Sequence, residues 1–459
     1  MLRIFSIILV FILLAAPIGG WWLAQRSLPV TDGVITLDAL SRSAVVKFDD
    51  RGIPHVEASS EKDLWMVQGY ATAINRMFQM DILRRTALGE LSEVFGDACL
   101  ADDKLMRTIG FNRMAKEELA KLSQDVRVYL DAYSLGVNEY LQKNVKNLPL
   151  EFALLGYRPR PWMPADTVAI LKYLQYEQDE SWRLDDLRQR IVDRAGQDIA
   201  TTVFEEALKP TAVSAQPGAT LNIASILDRS LINRRIDPRF GSSAFAIAPQ
   251  ISDTRGAMLA CDKHGELTEP DRYYLISLSC PTLHLCGATI PGVPGIIAGR
   301  NDHISWGSAN TKADVQDLYL EQFSTQFPNK YRTADGWQNV TEVIEEIKVR
   351  FRKNYLHKVL VTRHGPLLVK NETTGVALNW TGFRNTSALL DASWKLNKAH
   401  DWASFTSALE SYSGNPQYFV YADRKGMVGL KVAGAVPDRR KFGSGSLLLS
   451  GWTVRQEPP

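Results

Sequence analysis

The sequence predicts a layered α+β protein, with a mostly helical first part and a strand-rich second part. Three observations predict it. Between Glu61 and Ala195 apolar residues recur at helical spacing, and downstream of Ser242 the period shortens to that of strands. Runs of helices followed by runs of strands imply layers rather than an alternating α/β fold. The chain has 459 residues, 45% hydrophobic and 23% charged, which is globular composition and too much chain for one ordinary core.

Composition also excludes classes of function. A formal net charge of +2 gives no reason to expect nucleic acid as a partner. The seven histidines show no metal-ligand spacing, and four cysteines, Cys99, Cys261, Cys280 and Cys286, are too few for a disulfide scaffold. Cys280 and Cys286 would lie about 20 Å apart on one extended strand at ~3.3 Å per residue, beyond the ~7 Å a bridge allows. A turn at Pro281 could bring them closer; free core thiols are the simpler expectation.

Taking the elements in order, residues 1–26 open with Met1-Leu2-Arg3 and the apolar run Ile4–Ala16, then Pro17, Gly19, Gly20 and Trp21-Trp22-Leu23. A basic residue ahead of an apolar run reads as an export signal. Its length and paired tryptophans suit a membrane anchor equally well. The expected location is the periplasm, free or tethered to the inner membrane. Val45–Val56 reads as strand, turn, strand. Helices are expected over Glu61–Leu91, Met114–Val145 and Ala165–Ala195, with a proline-rich loop over Pro149–Pro164. Residues 32–200 thus form a helical region. Residues 201–241, small, polar and turn-rich around Lys209–Ala219, read as a spacer, excised or an ordinary loop. Strands are expected from residue 242 to the end, over Phe245–Ala248, Ala257–Ala260, Tyr273–Leu278, Thr282–Leu285, Val340–Phe351, His357–Thr362 and Phe419–Tyr421.

The stretch Phe240-Gly241-Ser242-Ser243-Ala244-Phe245 sits where a charged loop gives way to a strand. It is either a Gly-Ser loop without chemistry or a concealed nucleophile. If the Gly241–Ser242 bond is cut, Ser242 carries both a hydroxyl and a free α-amine. That amine titrates near pH ~8, so at neutral pH part of it is free to act as a base for its own hydroxyl.

Ordered blocks along the chain decide between these. Gly69-Tyr70-Ala71 with Asn75–Asp81, Leu88–Gly96, Gly241–Phe245, Ala260–His264, Gly287–Asn301, Trp306-Gly307 with Asp314–Tyr319, and Tyr421–Asp423 through Arg439 resemble the penicillin amidase (acylase) family, from about Asp32 to Trp452. The resemblance implies an N-terminal-nucleophile hydrolase of αββα type, which cuts itself into an α and a β chain forming a heterodimer. It would hydrolyse a small N-acyl amide through an acyl-enzyme. Carried over, Ser242 is the nucleophile, His264 lies beside it, and the Asn310 backbone N–H forms half of an oxyanion hole. Arg439 lies near the active centre. Asp314, Asp317, the Gln316 carbonyl and, from the helical part, Asp186 form a structural Ca2+ site.

The sequence departs from the family in three places. Tyr418 stands where the second oxyanion donor, an asparagine, is expected; Cys261 and Lys263 replace residues that relatives usually have as Asn and Pro; and family β chains continue past Gly451-Trp452-Thr453. Asn415 could supply the missing amide only if its loop is re-aimed. The expected function is that of an exported acylase acting on an aryl-acetyl amide, a β-lactam side chain or an N-acyl-homoserine lactone. The competing class is a truncated, non-catalytic remnant or membrane-tethered binding subunit. A Cys261 nucleophile lacks a paired base in the local sequence.

Overall fold

The computed structural model describes residues 17–179, 181–204, 241–265, 268–384, 387–439 and 445–453. Most of the spacer and the apolar run at residues 4–16 lie outside these. Residues 17–26 are helical, with Trp21 and Trp22 exposed. Among the described residues no helix is long and apolar enough to cross a membrane.

The strands in chain order are β1 Val45–Phe48, β2 Pro54–Glu57, β3 Gly241–Ile247, β4 Met258–His264, β5 Tyr274–Cys280, β6 Leu283–Thr289, β7 Ala298–Arg300, β8 Ile304–Asn310 and β9 Gln316–Gln322. They continue with β10 Lys330–Thr333, β11 Gly336–Asn339, β12 Thr341–Ile347, β13 Tyr355–Thr362, β14 Gly365–Lys370, β15 Thr374–Trp380, β16 Gln417–Asp423, β17 Val428–Ala433 and β18 Leu449–Ser450. An eight-stranded sheet runs β1-β2-β5-β6-β7-β8-β16-β17, and a six-stranded sheet β12-β13-β14-β15-β9-β18. The hairpin β3–β4 packs on β8 and β16 as a partial further layer. The mixed α+β class follows directly. The two parts of the chain share one core, because β2 from the helical region pairs in parallel with β5.

The long helices form where periodicity predicts them, with two breaks, and the loop expected over Pro149–Pro164 holds a short helix, Leu150–Leu155. The Glu61–Leu88 helix is capped by the Ser60 side chain, which accepts the Asp63 N–H. It ends at Gly89, whose φ of 64° a side chain would disfavour. The expected single helix over Met114–Val145 breaks into Phe111–Leu119 and Gln124–Lys143. Arg127 reaches back to donate to the carbonyls of Ala120 and Leu122, satisfying chain ends that the break exposes. The helix expected over Ala165–Ala195 breaks at Asp179 into Pro164–Gln178 and Ser181–Ala195. The Asp179 carboxylate accepts N–H bonds from Ser181 and from Val315, so the break docks the helices onto the entry to β9. The helices Leu100–Ile109, Ser387–Lys398 and Trp402–Glu410 are too short to stand out from the sequence pattern. The four cysteines are free: β5 and β6 form a hairpin with Cys280 opposite Leu283 and Cys286 opposite Ser277.

The Glu61–Leu88 and Gln124–Lys143 helices cross in backbone contact. A Cβ on Gly136 would sit 1.8 Å from the Met66 carbonyl oxygen, and one on Gly69 2.2 Å from that of Tyr133. No rotamer relieves a clash with backbone, so the helices would have to separate. Gly136→Ala should lower stability by about 1–3 kcal/mol or more, measured by urea unfolding. A surface change such as Leu154→Ala, at a side chain 70% exposed, should stay within about 0.5 kcal/mol.

Candidate active site

Ser242 lies at the start of β3, opposite Lys263 on β4, with Gly241 opposite His264. Directly opposed residues project to the same face, so Ser242 and Lys263 face inward together, as do Ala244 and Cys261. That face packs on β8. The fit is close: a Cβ on Gly307 would lie 2.6 Å from the Cys261 Cβ. β7 pairs with β8 only at Ser305 and Trp306. Beyond them the edge of β8 offers its backbone groups to the hairpin. The Asn310 N–H donates to Ser242 Oγ at 2.8 Å. Lys263 Nζ donates to the Ser308 carbonyl oxygen and, at 3.0 Å, to Ser308 Oγ.

Around this pair the remaining residues take distinct places. The Asn310 side chain donates to the Gln178 carbonyl at 3.2 Å and accepts the Lys312 N–H at 2.8 Å, which fixes the backbone whose N–H meets the serine. His264 projects to the outer face. Its Nε2 is 3.1 Å from Asp262 Oδ2 and 3.4 Å from Ser243 Oγ, and its Nδ1 borders Gly241. It therefore flanks the Gly241–Ser242 bond without bonding Ser242. Asn415 is buried, and its amide donates to the Gln175 carbonyl, so its loop is not re-aimed toward the serine. Tyr418 is opposite Ala309, on the sheet face that Gly307 turns to the hairpin, and is 42% exposed. The Cys261 thiol points at the Ser308 carbonyl, 3.6 Å away, with Lys263 rather than an imidazole beside it.

The expected metal residues form a separate acidic cluster. Arg439 is not at the serine: its guanidinium donates to Asp317 Oδ1 at 3.1 and 3.0 Å and to the Asp314 carbonyl at 2.8 Å, and pairs with Asp314 Oδ1 at 3.2 Å. The structure does not bring Asp186 to this cluster; its neighbour Asp185 comes to it instead. Successive helical residues point about 100° apart; Asp186 turns to Arg190 at 2.9 Å, whereas Asp185 faces Asp314 and Asp317. Burial pushes the Asp317 carboxyl up to about 7 and Asp179 up to about 6, with Asp314 adding repulsion in both. Burial, reinforced by Asp314 and Asp317, holds Asp185 well above the usual carboxylate range, and its Oδ2 has no hydrogen-bond partner. Surplus negative charge on hard oxygens suits Ca2+ in chemistry. In the present arrangement Arg439 takes the place between Asp314 and Asp317, and among the described residues no three His, Cys, Asp or Glu converge on one metal position.

An apolar cavity of about 590 Å3 opens between the Glu61–Leu88 and Pro164–Gln178 helices and the Thr268–Arg272 segment. Phe78, Ile82, Leu83 and Leu174 line it, and Glu177 and Arg272, paired at 2.9 Å, form a polar wall. Glu177 adjoins Gln178, whose carbonyl holds Asn310, so this cavity neighbours the serine's anchoring network. No sequence pattern marks it, because its walls come from five separated segments. A second cavity of about 360 Å3, lined by Arg113, His364 and Trp380, includes none of the site residues.

These raised carboxyls carry a pH dependence. An Asp that binds its proton more tightly when folded makes stability fall as pH rises from the unfolded pKa of ~3.9 towards the folded one. The penalty is complete above about 7 for Asp317. In chelator, the urea midpoint should decline between pH 4 and 7, and Asp317→Asn should flatten that slope.

Comparisons with known proteins bear on the family of the chain. The profile of the Penicillin amidase family matches residues 43–458. The chain is 30% identical over 454 residues to an acyl-homoserine lactone acylase QuiP of Pseudomonas fluorescens, covering 95% of this chain and 55% of that protein. It is 28% identical over 457 residues to the penicillin acylase 2 proenzyme of a Pseudomonas species, covering 94% and 57%. The chain spans about half the length of the curated relatives it matches. A thermostable penicillin G acylase from Alcaligenes faecalis superposes with a TM-score of 0.42 at 21% identity, over 45% of this chain and 38% of that one. By the extent of the family match, this chain belongs to the penicillin amidase family.

Proposed function

We propose that the chain is an exported serine acylase that hydrolyses N-acyl amides after cutting itself between Gly241 and Ser242. The single observation that carries the reading is the 2.8 Å contact of the Asn310 N–H with Ser242 Oγ. A backbone donor aimed at the nucleophile is the arrangement an acyl transfer needs, since the same donor can receive the oxyanion. Once freed, the Ser242 α-amine takes the hydroxyl proton as Oγ attacks the acyl carbonyl. The C–N bond breaks, the amine leaves with that proton, and the ester on Ser242 is hydrolysed by water. Asn310 is one oxyanion donor; Tyr418, on the face that meets the hairpin, lines the approach. His264 flanks the bond to be cut, where it can take part in that scission.

The acyl group would occupy the apolar cavity, whose volume is within the range of small-molecule sites. Acyl-homoserine lactones and penicillins, which the names of the relatives carry, are the substrate classes to try first. Export, with residues 1–26 as a signal or an anchor, places the reaction in the periplasm. The competing reading, a non-catalytic family member, draws support from the tyrosine at position 418.

Purified chain should appear as two fragments with Ser242 as a new amino terminus, and should release free homoserine lactone from an N-acyl-homoserine lactone. Ser242→Ala should remain one piece and lose activity by at least about a thousandfold. A wild-type chain that stays whole favours the non-catalytic reading.

We also propose Ca2+ as a structural ion, taken up by Asp314, Asp317 and the Gln316 carbonyl, with Asp185 beside them, once the Arg439 guanidinium yields its place between Asp314 and Asp317. At pH 8, millimolar Ca2+ should raise Tm, and the rise should vanish in Asp317→Asn. A Tm indifferent to Ca2+ and chelator alike would mean that Arg439 is the cluster's own counter-cation.

A further inference from the structure

We propose that Lys263 is a positioning residue for the Ser242 chemistry, its half-buried ammonium lowering the basicity of the α-amine on the neighbouring strand. The inference rests on the reading that Ser242 is freed as an amino terminus. Lys263 is the cross-strand partner of Ser242, and opposed residues have Cβ atoms ~4.5–5.5 Å apart. Both side chains turn to the free edge of β8. The ammonium is bonded to Ser308, two residues along that strand from the Asn310 amide that holds the serine hydroxyl. Its place is therefore fixed by two hydrogen bonds, and the same bonds hold β4 against β8 at the distance at which Ser242 Oγ meets its donor.

A fixed cation beside a second titrating amine favours the neutral form of that amine. For an acyl transfer base this is the useful direction. An ordinary α-amine is largely protonated at pH 7, and a neighbouring positive charge enlarges the fraction able to accept a proton. The surroundings leave that effect little opposed. β8 and β16 bring only neutral groups to this point, Ser308, Asn310, Gln417 and the Tyr418 phenol. From β4 come Lys263 and the Cys261 thiol, and beyond Cys261 lie Tyr273 and the Glu177–Arg272 pair, which is neutral in sum. The carboxylate of Asp262 and the imidazole of His264 lie on the outer face, bonded to one another. Burial also lowers the pKa of Lys263 itself, with the thiol opposing; its bonds to two Ser308 oxygens favour the charged form.

The test uses the full-length chain, with Lys263→Met, Lys263→Gln and Lys263→Arg beside the wild type. Intact mass and amino-terminal sequencing first establish the cut before Ser242. If the wild type is not cut, the acylase reading fails, independently of Lys263. On cut protein, kcat/KM is measured from pH 5 to 9 with the 4-nitroanilide of a medium-chain fatty acid. The acidic limb should move to higher pH by about one unit in Lys263→Met and Lys263→Gln, and stay in place in Lys263→Arg. An unmoved limb in an active neutral variant overturns the proposal. So does an equal shift in Lys263→Arg, which would make the role one of packing. If both neutral variants remain uncut while Lys263→Arg is cut, the charge acts at the scission, and tuning of the mature base is overturned.

Discussion

The structure depends on how it satisfies the backbone of one buried loop. Residues 290–297, between β6 and β7, run through the core, where unpaired amides and carbonyls would be costly. Side chains from four helices meet them. Gln68 exchanges two bonds with Gly295, Asn397 exchanges two with Ile296, Tyr133 accepts the Gly292 N–H, and Thr167 donates to the Gly292 carbonyl. These account for buried polar groups that otherwise look out of place among Trp65, Met66 and Ile170. They also rivet the helical layer to the eight-stranded sheet. The helix carrying Gln68 is the one that crosses Tyr133 at backbone distance, so the latch and the crossing reinforce each other.

The position of the serine follows from that sheet. β7 is only three residues long and leaves the far end of β8 without a neighbour on one side. Two backbone groups on the same side of one strand, the Ser308 carbonyl and the Asn310 N–H, become the receptors for Lys263 and Ser242. The candidate centre is thus a strand edge filled by side chains of a hairpin instead of by a ladder. The Pro164–Gln178 helix closes it from the other face, ending at Gln178 beside Asn310 and handing on, through Asp179, to the acidic cluster.

Much of this was legible in the sequence because the signals are local or ordered. The strand-turn-strand at Val45–Val56 and the Gly-Ser stretch at residues 240–245 each sit within a dozen residues. Helix breaks were not legible. The pattern of apolar residues continues through Leu122 and Asp179, and the turn is decided by partners far off in the chain, Val315 for one. The same limit explains Asp185 against Asp186: adjacent carboxylates look alike until the helix phase relative to β9 is known. It explains Arg439, whose proximity to the family's active centre says nothing about which carboxylates claim its guanidinium. The cavity beside Glu177 is assembled from segments nearly two hundred residues apart, and no single-chain pattern encodes such a wall.

The hairpin-side face of the large sheet also has a bearing on how the protein behaves in a tube. Leu430 and Val432 on β17 are more than half exposed, Tyr418 stands opposite Val432, and Phe245 on the hairpin's outer face is 57% exposed. Apolar area of this kind, at the rim of an edge strand, attracts its own kind. Self-association through this face then bears on the concentration at which the chain can be handled, and added surface charge on β17 would oppose it.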